Sequence, residues 1–278
     1  MIILAYDYEI ALQCSTEKRQ SGVKGRRHEF LSRVDRLVET RMERFWCREA
    51  WTRDQWVKAQ AANLPPGSWV LDAGAGASKY RPLFSHCRYT TQDFCRYEGP
   101  LVKYSQPIDY VCDILQIPLP DASLDAILCT EVLEHVTDPV AVLREFSRLL
   151  RPGGKLFLTA PFISDLHMAP YHFYVGFTAY WYRHWLPSLG FVIDHIAPQG
   201  GPARVAVRYL HGIYGLWRAW ESKLRGLKRL FSLTGRMLVK LPVHYVAPWV
   251  LHRLDSRLDW EGNCIGLMVA ATRDRDCR

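Results

Sequence analysis

The chain has 278 residues, which fits one α/β domain with additional segments better than two full domains. Hydrophobic residues make up 49% of it and charged residues 23%, so the chain can bury a core and is not a disordered tail. The net charge is +8, and residues 203–262 hold eleven Lys and Arg against four Asp and Glu. This local excess indicates an anionic partner: a membrane surface, a nucleic acid or an acidic substrate.

The cysteines and the apolar runs limit the class of protein further. The eight cysteines form no C-x-x-C pair, and no group of Cys and His has zinc-finger spacing, so we expect reduced thiols and no metal site. No apolar run reaches the roughly 18 residues of a membrane span. The first residues lack the basic and apolar runs of a signal peptide. These features predict a cytoplasmic protein, with membrane association through the basic segment as an alternative.

The first part of the chain precedes any alternation of strands and helices. Residues 1–27 show no sustained periodicity, and we expect them to be loosely ordered. Over residues 28–63 apolar side chains recur at helical spacing, which predicts a helical extension. Pro65-Pro66-Gly67 ends that pattern and starts a new unit.

Residues 64–202 alternate between short apolar runs and helical patterns, which predicts a parallel, doubly wound core. Strands are predicted over residues 68–72, 88–93, 108–113, 124–130, 155–160 and 191–196. Helices are predicted over residues 79–85, 139–150 and 178–189, and a turn over residues 151–154.

Residues 203–262 are predicted to be a basic amphipathic helical insertion. Over residues 216–241 Trp and Leu recur at three- and four-residue spacing, and Lys and Arg fill much of the rest. Such a helix either lies in a membrane interface or covers the domain with a solvated basic face. Residues 263–278 are predicted to contain the last strand of the core, over residues 264–272, and the C-terminus. The predicted fold class is therefore α/β and Rossmann-like: a mostly parallel seven-stranded sheet with helices on both faces, an N-terminal helical extension and a helical insertion before the last strand.

The sharpest motif lies where the first strand ends, at residues 70–78. Gly74 and Gly76 permit a tight turn and a close approach of the backbone to a ligand. A nicotinamide-binding loop requires a third glycine at position 79, which is Lys here. Asp72 would repel a pyrophosphate but would accept a ligand with a cationic amino-acid end, such as S-adenosylmethionine (SAM).

Two further carboxylates follow the next strands. Asp93 ends the second strand, where a carboxylate can accept both ribose hydroxyls; a helix cap or a surface loop is the alternative. Asp113 ends the third strand and is followed by Ile114. It can accept from an exocyclic amine while apolar neighbours hold a ring, or it can simply form a turn.

These motifs occur in one order that resembles a known family. Asp72 to Gly76, Asp93, Asp113 with residues 117–121, the segment 131–136 (EVLEHV) and the segment 149–155 (LLRPGGK) are together similar to class I SAM-dependent methyltransferases of the type 11 kind, in the small-molecule and quinone-methylating branch. The resemblance implies SAM as cofactor. It places the methionine part at Asp72, Gly74, Ala75, Gly76 and Thr130, the ribose at Asp93 and Phe94, and the adenine at Asp113 and Ile114.

The segment after the fifth strand, residues 160–178, is rich in aromatics and carries two histidines. It resembles a segment of bacterial methyltransferases associated with cell-surface glycan synthesis. His167 or His172 is the candidate catalytic base, because imidazole exchanges protons near neutral pH; the alternative is that either ring only holds the loop. The candidate acceptor walls are Tyr171, Phe173 and Tyr174. His135 follows the fourth strand and is interpreted as a packing residue at a helix start, with a place near the sulfonium as the alternative.

Three hypotheses for function follow. The first is methyl transfer from SAM to a small-molecule or saccharide acceptor at oxygen, with histidine assistance. The second is RNA methylation through the basic insertion, although no recognised nucleic-acid-binding motif supports it. The third is a non-catalytic membrane-surface or scaffold protein with a relic SAM pocket.

Overall fold

The computed structural model describes residues 48–222, 246–255, 260 and 262–274. Among these, residues 52–199 and 264–274 form one compact unit, here called the sheet unit. Residues 48–51, 200–222, 246–255, 260 and 262–263 belong to a second unit, here called the helical unit. The predicted loosely ordered residues 1–27 and most of the predicted helical extension lie outside the described residues.

A single seven-stranded sheet organises the sheet unit, with strand order β3-β2-β1-β4-β5-β7-β6. Only β7 runs antiparallel to its neighbours β5 and β6. The strands are β1 (Trp69–Ala73), β2 (Arg88–Asp93), β3 (Tyr110–Val111), β4 (Leu124–Thr130), β5 (Leu150–Pro161), β6 (Phe191–Pro198) and β7 (Gly266–Arg273). The order reverses between β1 and β4, and in open α/β sheets the crevice at such a switch point binds the ligand. The predicted mostly parallel, Rossmann-like fold is confirmed.

Helices lie before and between these strands, and two of them begin after residues whose side chains cap the helix. They are α1 (Arg48–Ala62), α2 (Pro139–Leu149) and α3 (Ala179–Ser188), with the 3-10 turns η1 (Arg81–Phe84) and η2 (Leu133–His135). The Asp138 side chain accepts from Ala141 N at 2.9 Å and so caps α2, whose first residue is a proline. Thr178 caps α3 in the same way through Trp181 N at 3.2 Å.

The core between α1 and the sheet is apolar and fully buried. Trp56 of α1 meets Phe157 of β5 edge to face, with ring centroids 6.1 Å apart. Burial of such side chains contributes roughly 1.5–3 kcal/mol each. The buried members of this cluster are Val57, Ala61, Leu64, Val70, Tyr80, Phe84, Ala126, Leu128, Phe157 and Ala270.

Three local predictions differ from the structure. β3 is two residues long rather than six, because the Asp109 carboxylate accepts from Thr91 N at 2.8 Å and takes the place of a backbone ladder bond. The predicted helix over residues 79–85 is only the 3-10 turn η1. The predicted turn over residues 151–154 lies within β5 as a bulge: the pairing to β4 shifts register there, and Gly153 has φ +80°.

The helical unit contains α4 (Pro202–Ser222) and α5 (Ala247–Asp255). The Asp255 carboxylate accepts from Gly201 N at 2.9 Å and Ala203 N at 3.0 Å, so α5 caps the start of α4. An exposed apolar row follows α4, namely Tyr209, Ile213, Leu216 and Trp220. Most of the predicted 216–241 amphipathic segment lies outside the described residues. None of the helices in the described part of the chain has both the length and the apolar character to cross a membrane.

Candidate functional site

The glycine loop after β1 is fixed by one residue of β2. Gln92 accepts from Gly74 N at 2.8 Å and from Ala75 N at 2.9 Å through its carbonyl, and its side-chain oxygen lies 3.2 Å from Gly74 N. Gly74 has φ +73°, and a Cβ there would lie 2.4 Å from a methyl group of Val132. The position therefore admits only glycine. The structure places this loop at the carboxyl end of β1, as the sequence predicts.

Asp93 closes the other side of the same loop. Its Oδ2 accepts from Gly76 N at 2.9 Å, and its Oδ1 accepts from Cys95 N at 2.9 Å and from the Tyr104 hydroxyl at 3.1 Å. A carboxylate offers about four lone-pair positions, so roughly one remains for a ligand hydroxyl. A second ligand hydroxyl would have to displace one of these donors, and the Tyr104 side chain is the one that can turn away.

Asp72 lies deeper than the sequence suggests. Only 2% of it is exposed, and the Tyr89 hydroxyl donates a hydrogen bond to its carboxylate. Burial raises the pKa of Asp72 to about 7, against a lowering effect of that hydrogen bond. The carboxylate is therefore half neutral near neutral pH, and its small exposed area limits direct contact with a ligand.

The remaining predicted cofactor residues lie at the ends of β3 and β4. Asp113 is exposed and its Oδ1 accepts from Leu115 N at 3.0 Å, so it does form the turn that was the alternative interpretation. Ile114 beside it is 7% exposed and offers an apolar wall. Thr130 ends β4 and is half-buried.

The aromatic loop after β5 is attached to the end of β4. The Glu134 carbonyl accepts from Phe173 N at 2.9 Å and from Tyr174 N at 3.2 Å. Phe94, which directly follows Asp93, meets Tyr171 edge to face with ring centroids 5.0 Å apart. Phe94 of the predicted cofactor site and Tyr171 of the predicted acceptor wall are therefore in contact.

Three histidines gather at this point. The ring centroids of His135 and His167 are 4.7 Å apart, those of His167 and His172 are 4.6 Å apart, and those of His135 and His172 are 5.8 Å apart. Burial, reinforced by the other two rings, lowers the pKa of His135 to about 4. Burial and the neighbouring His167 also lower the pKa of His172, so that ring is neutral at pH 7 and able to accept a proton. The sequence favoured a packing role for His135 over a place near the sulfonium, and the structure shows that its ring belongs to this cluster.

Two glutamates and an arginine complete the site, and sequence reasoning gave them no role. Glu131 follows β4 with φ +55°, a strained conformation for a residue with a side chain. Its carboxylate accepts from Thr159 Oγ1 at 2.8 Å and pairs with Arg53 of α1 at 3.2 Å. Glu134 is 1% exposed, and burial together with the nearby Glu131 raises its pKa well above the usual range. The only signal in the sequence was the EVLEHV segment itself, whose spacing does not show which side chains turn inward.

Comparison with known proteins identifies a domain in the central part of the chain. Residues 71–158 match the methyltransferase domain family. The chain is 33% identical over 116 residues to the probable tRNA methyltransferase 9B of Mus musculus, a stretch that covers 40% of this chain and 25% of that protein. It is 60% identical over 107 residues to the ubiquinone biosynthesis O-methyltransferase of Xanthomonas axonopodis pv. citri, covering 34% of this chain and 44% of that protein. The chain thus spans less than half the length of either relative.

Among solved structures, the fold resembles a putative sarcosine dimethylglycine methyltransferase from Galdieria sulphuraria. The TM-score is 0.51 and the match covers 98% of both chains. The sequence identity is 15%, so the likeness concerns the fold alone.

Proposed function

Because the chain is by its domain and fold a class I SAM-dependent methyltransferase, we propose that it methylates a hydroxyl oxygen of a small-molecule or saccharide acceptor, with a histidine taking the proton. The observation that carries the proposal is the contact between Phe94 and Tyr171, with centroids 5.0 Å apart. It joins the end of the ribose-site strand to the loop that bears His167 and His172.

The residues present fit the cofactor SAM. Gly74 allows the tight turn at the end of β1, because a Cβ there would clash with Val132, and Asp93 retains lone-pair capacity for a ribose hydroxyl. SAM supplies a methyl group on a sulfonium centre. The protein holds the donor and acceptor in line, which contributes most of the rate enhancement for a displacement of this kind.

His172 is the better placed of the two candidate bases. Its Nε2 lies 3.1 Å from Ser164 Oγ, which fixes the ring, and its lowered pKa keeps the ring neutral at pH 7. The acceptor oxygen gains the methyl group and gives its proton to the imidazole, while S-adenosylhomocysteine is released. General-base assistance of this kind contributes roughly 10²–10⁴-fold to a rate. The oxygen acceptor is also supported by the Xanthomonas relative, which is named an O-methyltransferase.

RNA is the second candidate acceptor, and one observation favours it: the Mus musculus relative is named a probable tRNA methyltransferase. The basic segment would then contact phosphates, and affinity would fall steeply with salt. The described part of that segment, however, presents the exposed apolar row of α4, which a membrane interface would bury and an RNA backbone would leave in water. We therefore propose an anionic membrane surface, rather than nucleic acid, as the partner of the helical unit.

The test uses the full-length protein and SAM labelled in its methyl group. Separate reactions contain mixed phenolic and saccharide acceptors or total tRNA, and label transfer is counted in each. We expect label in the small-molecule or saccharide fraction, a loss of about 100-fold or more with His172→Gln, and no loss with His184→Gln, an exposed histidine of α3. Label in the tRNA would contradict the proposed acceptor. Bound SAM without transfer to any fraction would favour the non-catalytic hypothesis.

A further inference from the structure

The side chains of Glu134, His135 and His167 each offer one ligand atom, and these atoms lie within 4.8 Å of one another. We propose that they bind a divalent transition-metal ion of the zinc type, through the Glu134 carboxylate and the Nε2 atoms of His135 and His167. Two imidazoles and one carboxylate are the ligand set of many catalytic zinc sites, which keep a further position open. The sequence predicts no metal, because the ligands come from two segments far apart in the chain.

The hydrogen bonds of the two rings leave the required atoms available. His135 Nδ1 lies 2.5 Å from the Tyr171 carbonyl oxygen, and His167 Nδ1 lies 2.8 Å from the Asp165 carbonyl oxygen. A carbonyl oxygen only accepts, so both rings carry their proton on Nδ1 and present the Nε2 lone pair. Metal-binding histidines are oriented by this same arrangement, in which the second nitrogen donates to a backbone carbonyl. Packing alone would not require both rings to donate a hydrogen bond from Nδ1 to a backbone carbonyl.

Glu134 supplies an independent second observation. It is 1% exposed, and its Oε2 has no hydrogen-bond partner among the residues that the structure describes. Its other oxygen lies 3.6 Å from His135 Nε2, too far for a hydrogen bond. Two ligands of one tetrahedral zinc ion lie about 3.4 Å apart. The spacing between Glu134 Oε1 and His135 Nε2 therefore suits a shared ion, and an ion bound by both carboxylate oxygens would also satisfy the unpaired Oε2.

The charges around the cluster suit a divalent ion. Glu131 follows the same strand and carries a second carboxylate, which is already paired with Arg53 at 3.2 Å. An ion would take the place of the proton on Glu134, as metal binding to a carboxyl group generally does. His167 lies on the loop after β5 and is half-buried, so the third ligand comes from a segment that reaches the cluster from outside the sheet.

The three histidines would then have separate roles, two as ligands of the ion and one as the base. An ion held by His135 and His167 polarises the acceptor hydroxyl and lowers its pKa, and His172 takes the released proton. This role of the ion rests on the proposed function, whereas the binding of the ion does not. The two parts therefore need separate measurements.

The experiment is a titration of the chelator-treated, full-length protein with Co²⁺, followed by its visible absorption, and with Zn²⁺ by calorimetry. We expect one equivalent of either ion to bind, with the cobalt bands of a four- or five-coordinate site. Affinity should fall by more than tenfold in Glu134→Gln and in His167→Gln, and stay unchanged in His184→Gln. His167→Gln changes a loop residue, so circular dichroism should show an intact fold.

Absence of stoichiometric binding in the unsubstituted protein would overturn the proposal, and so would unchanged affinity in both cluster variants. SAM titration on the same samples keeps the two questions apart. A bound ion without methyl transfer would leave the metal site standing and contradict the proposed function. Methyl transfer without a bound ion would support the proposed function and contradict the metal site.

Discussion

The placement of the ribose predicts that Asp93→Asn weakens SAM binding without unfolding the loop. Asn retains one oxygen acceptor, which can serve either Gly76 N or Cys95 N but not both, and it loses the charge and half of the lone-pair capacity. Three protein donors already occupy the carboxylate, so about one hydrogen bond to a ribose hydroxyl is at stake. A hydrogen bond to a charged group contributes about 1.5–3 kcal/mol, which corresponds to a loss of about 10- to 140-fold in affinity.

The assay is calorimetric titration with S-adenosylhomocysteine and with its 2′-deoxy analogue. The penalty of Asp93→Asn should shrink with the deoxy ligand, because the hydroxyl that the carboxylate accepts from is then missing. Tyr104→Phe is the matched control: it removes one protein donor to Asp93 and should leave affinity within about twofold. Equal affinity of Asp93→Asn and the unsubstituted protein for both ligands would refute the ribose placement.

The remaining predictions concern the loop, the buried carboxylate and the helical unit. Gly74→Ala should abolish SAM binding because of the clash described above, whereas Gly67→Ala, with φ +81° but nothing within 4 Å of its Cβ, should only lower the melting temperature. The pKa of Asp72 is raised in the folded protein from 3.8 to about 7, so the free energy of unfolding should fall by up to about 4 kcal/mol as pH rises from 4 to 8. Asp72→Asn should flatten this part of the pH dependence measured by urea unfolding. Identical pH dependence in the two proteins would contradict the raised pKa. Trp220→Ala should weaken sedimentation with anionic vesicles by about tenfold, while Val111→Ala, an exposed apolar residue of β3, should not; equal effects would argue against membrane contact.

Much of the sheet was predictable, because most strands are short runs rich in apolar, aromatic or β-branched residues. The predicted bounds of β2 and β4 coincide with the observed ones. The length of β3 was overestimated, because hydrogen bonds between Asp109 and Thr91 replace part of its backbone ladder. Strand propensity along the sequence does not indicate such tertiary bonds. The bulge in β5 was predicted as a turn because Pro152 and two glycines are typical of both.

The cofactor side of the site was predictable in position and less so in detail. Carboxyl ends of parallel strands meet at one edge, so Asp93 and the glycine loop were expected together. The role of Gln92 in holding that loop could not be predicted, because it depends on a side chain that turns back toward the neighbouring strand.

The acceptor side depended on contacts between distant segments. Spacing along the chain cannot show that His135 meets the loop after β5, or that Glu134 is buried beside it. These contacts form because the Glu134 carbonyl binds two backbone amides of that loop. The chemistry of the site is therefore a tertiary property, while the family resemblance is a property of the sequence.

The most direct test of the account is calorimetric titration of the full-length protein with SAM and S-adenosylhomocysteine, with NADH as the control ligand. The account predicts that both sulfur compounds bind at one site per chain and that NADH does not bind, because position 79 of the glycine loop is Lys rather than the third glycine of a dinucleotide-binding loop. Binding of NADH, or binding of neither sulfur compound, would contradict the assignment of this site to SAM.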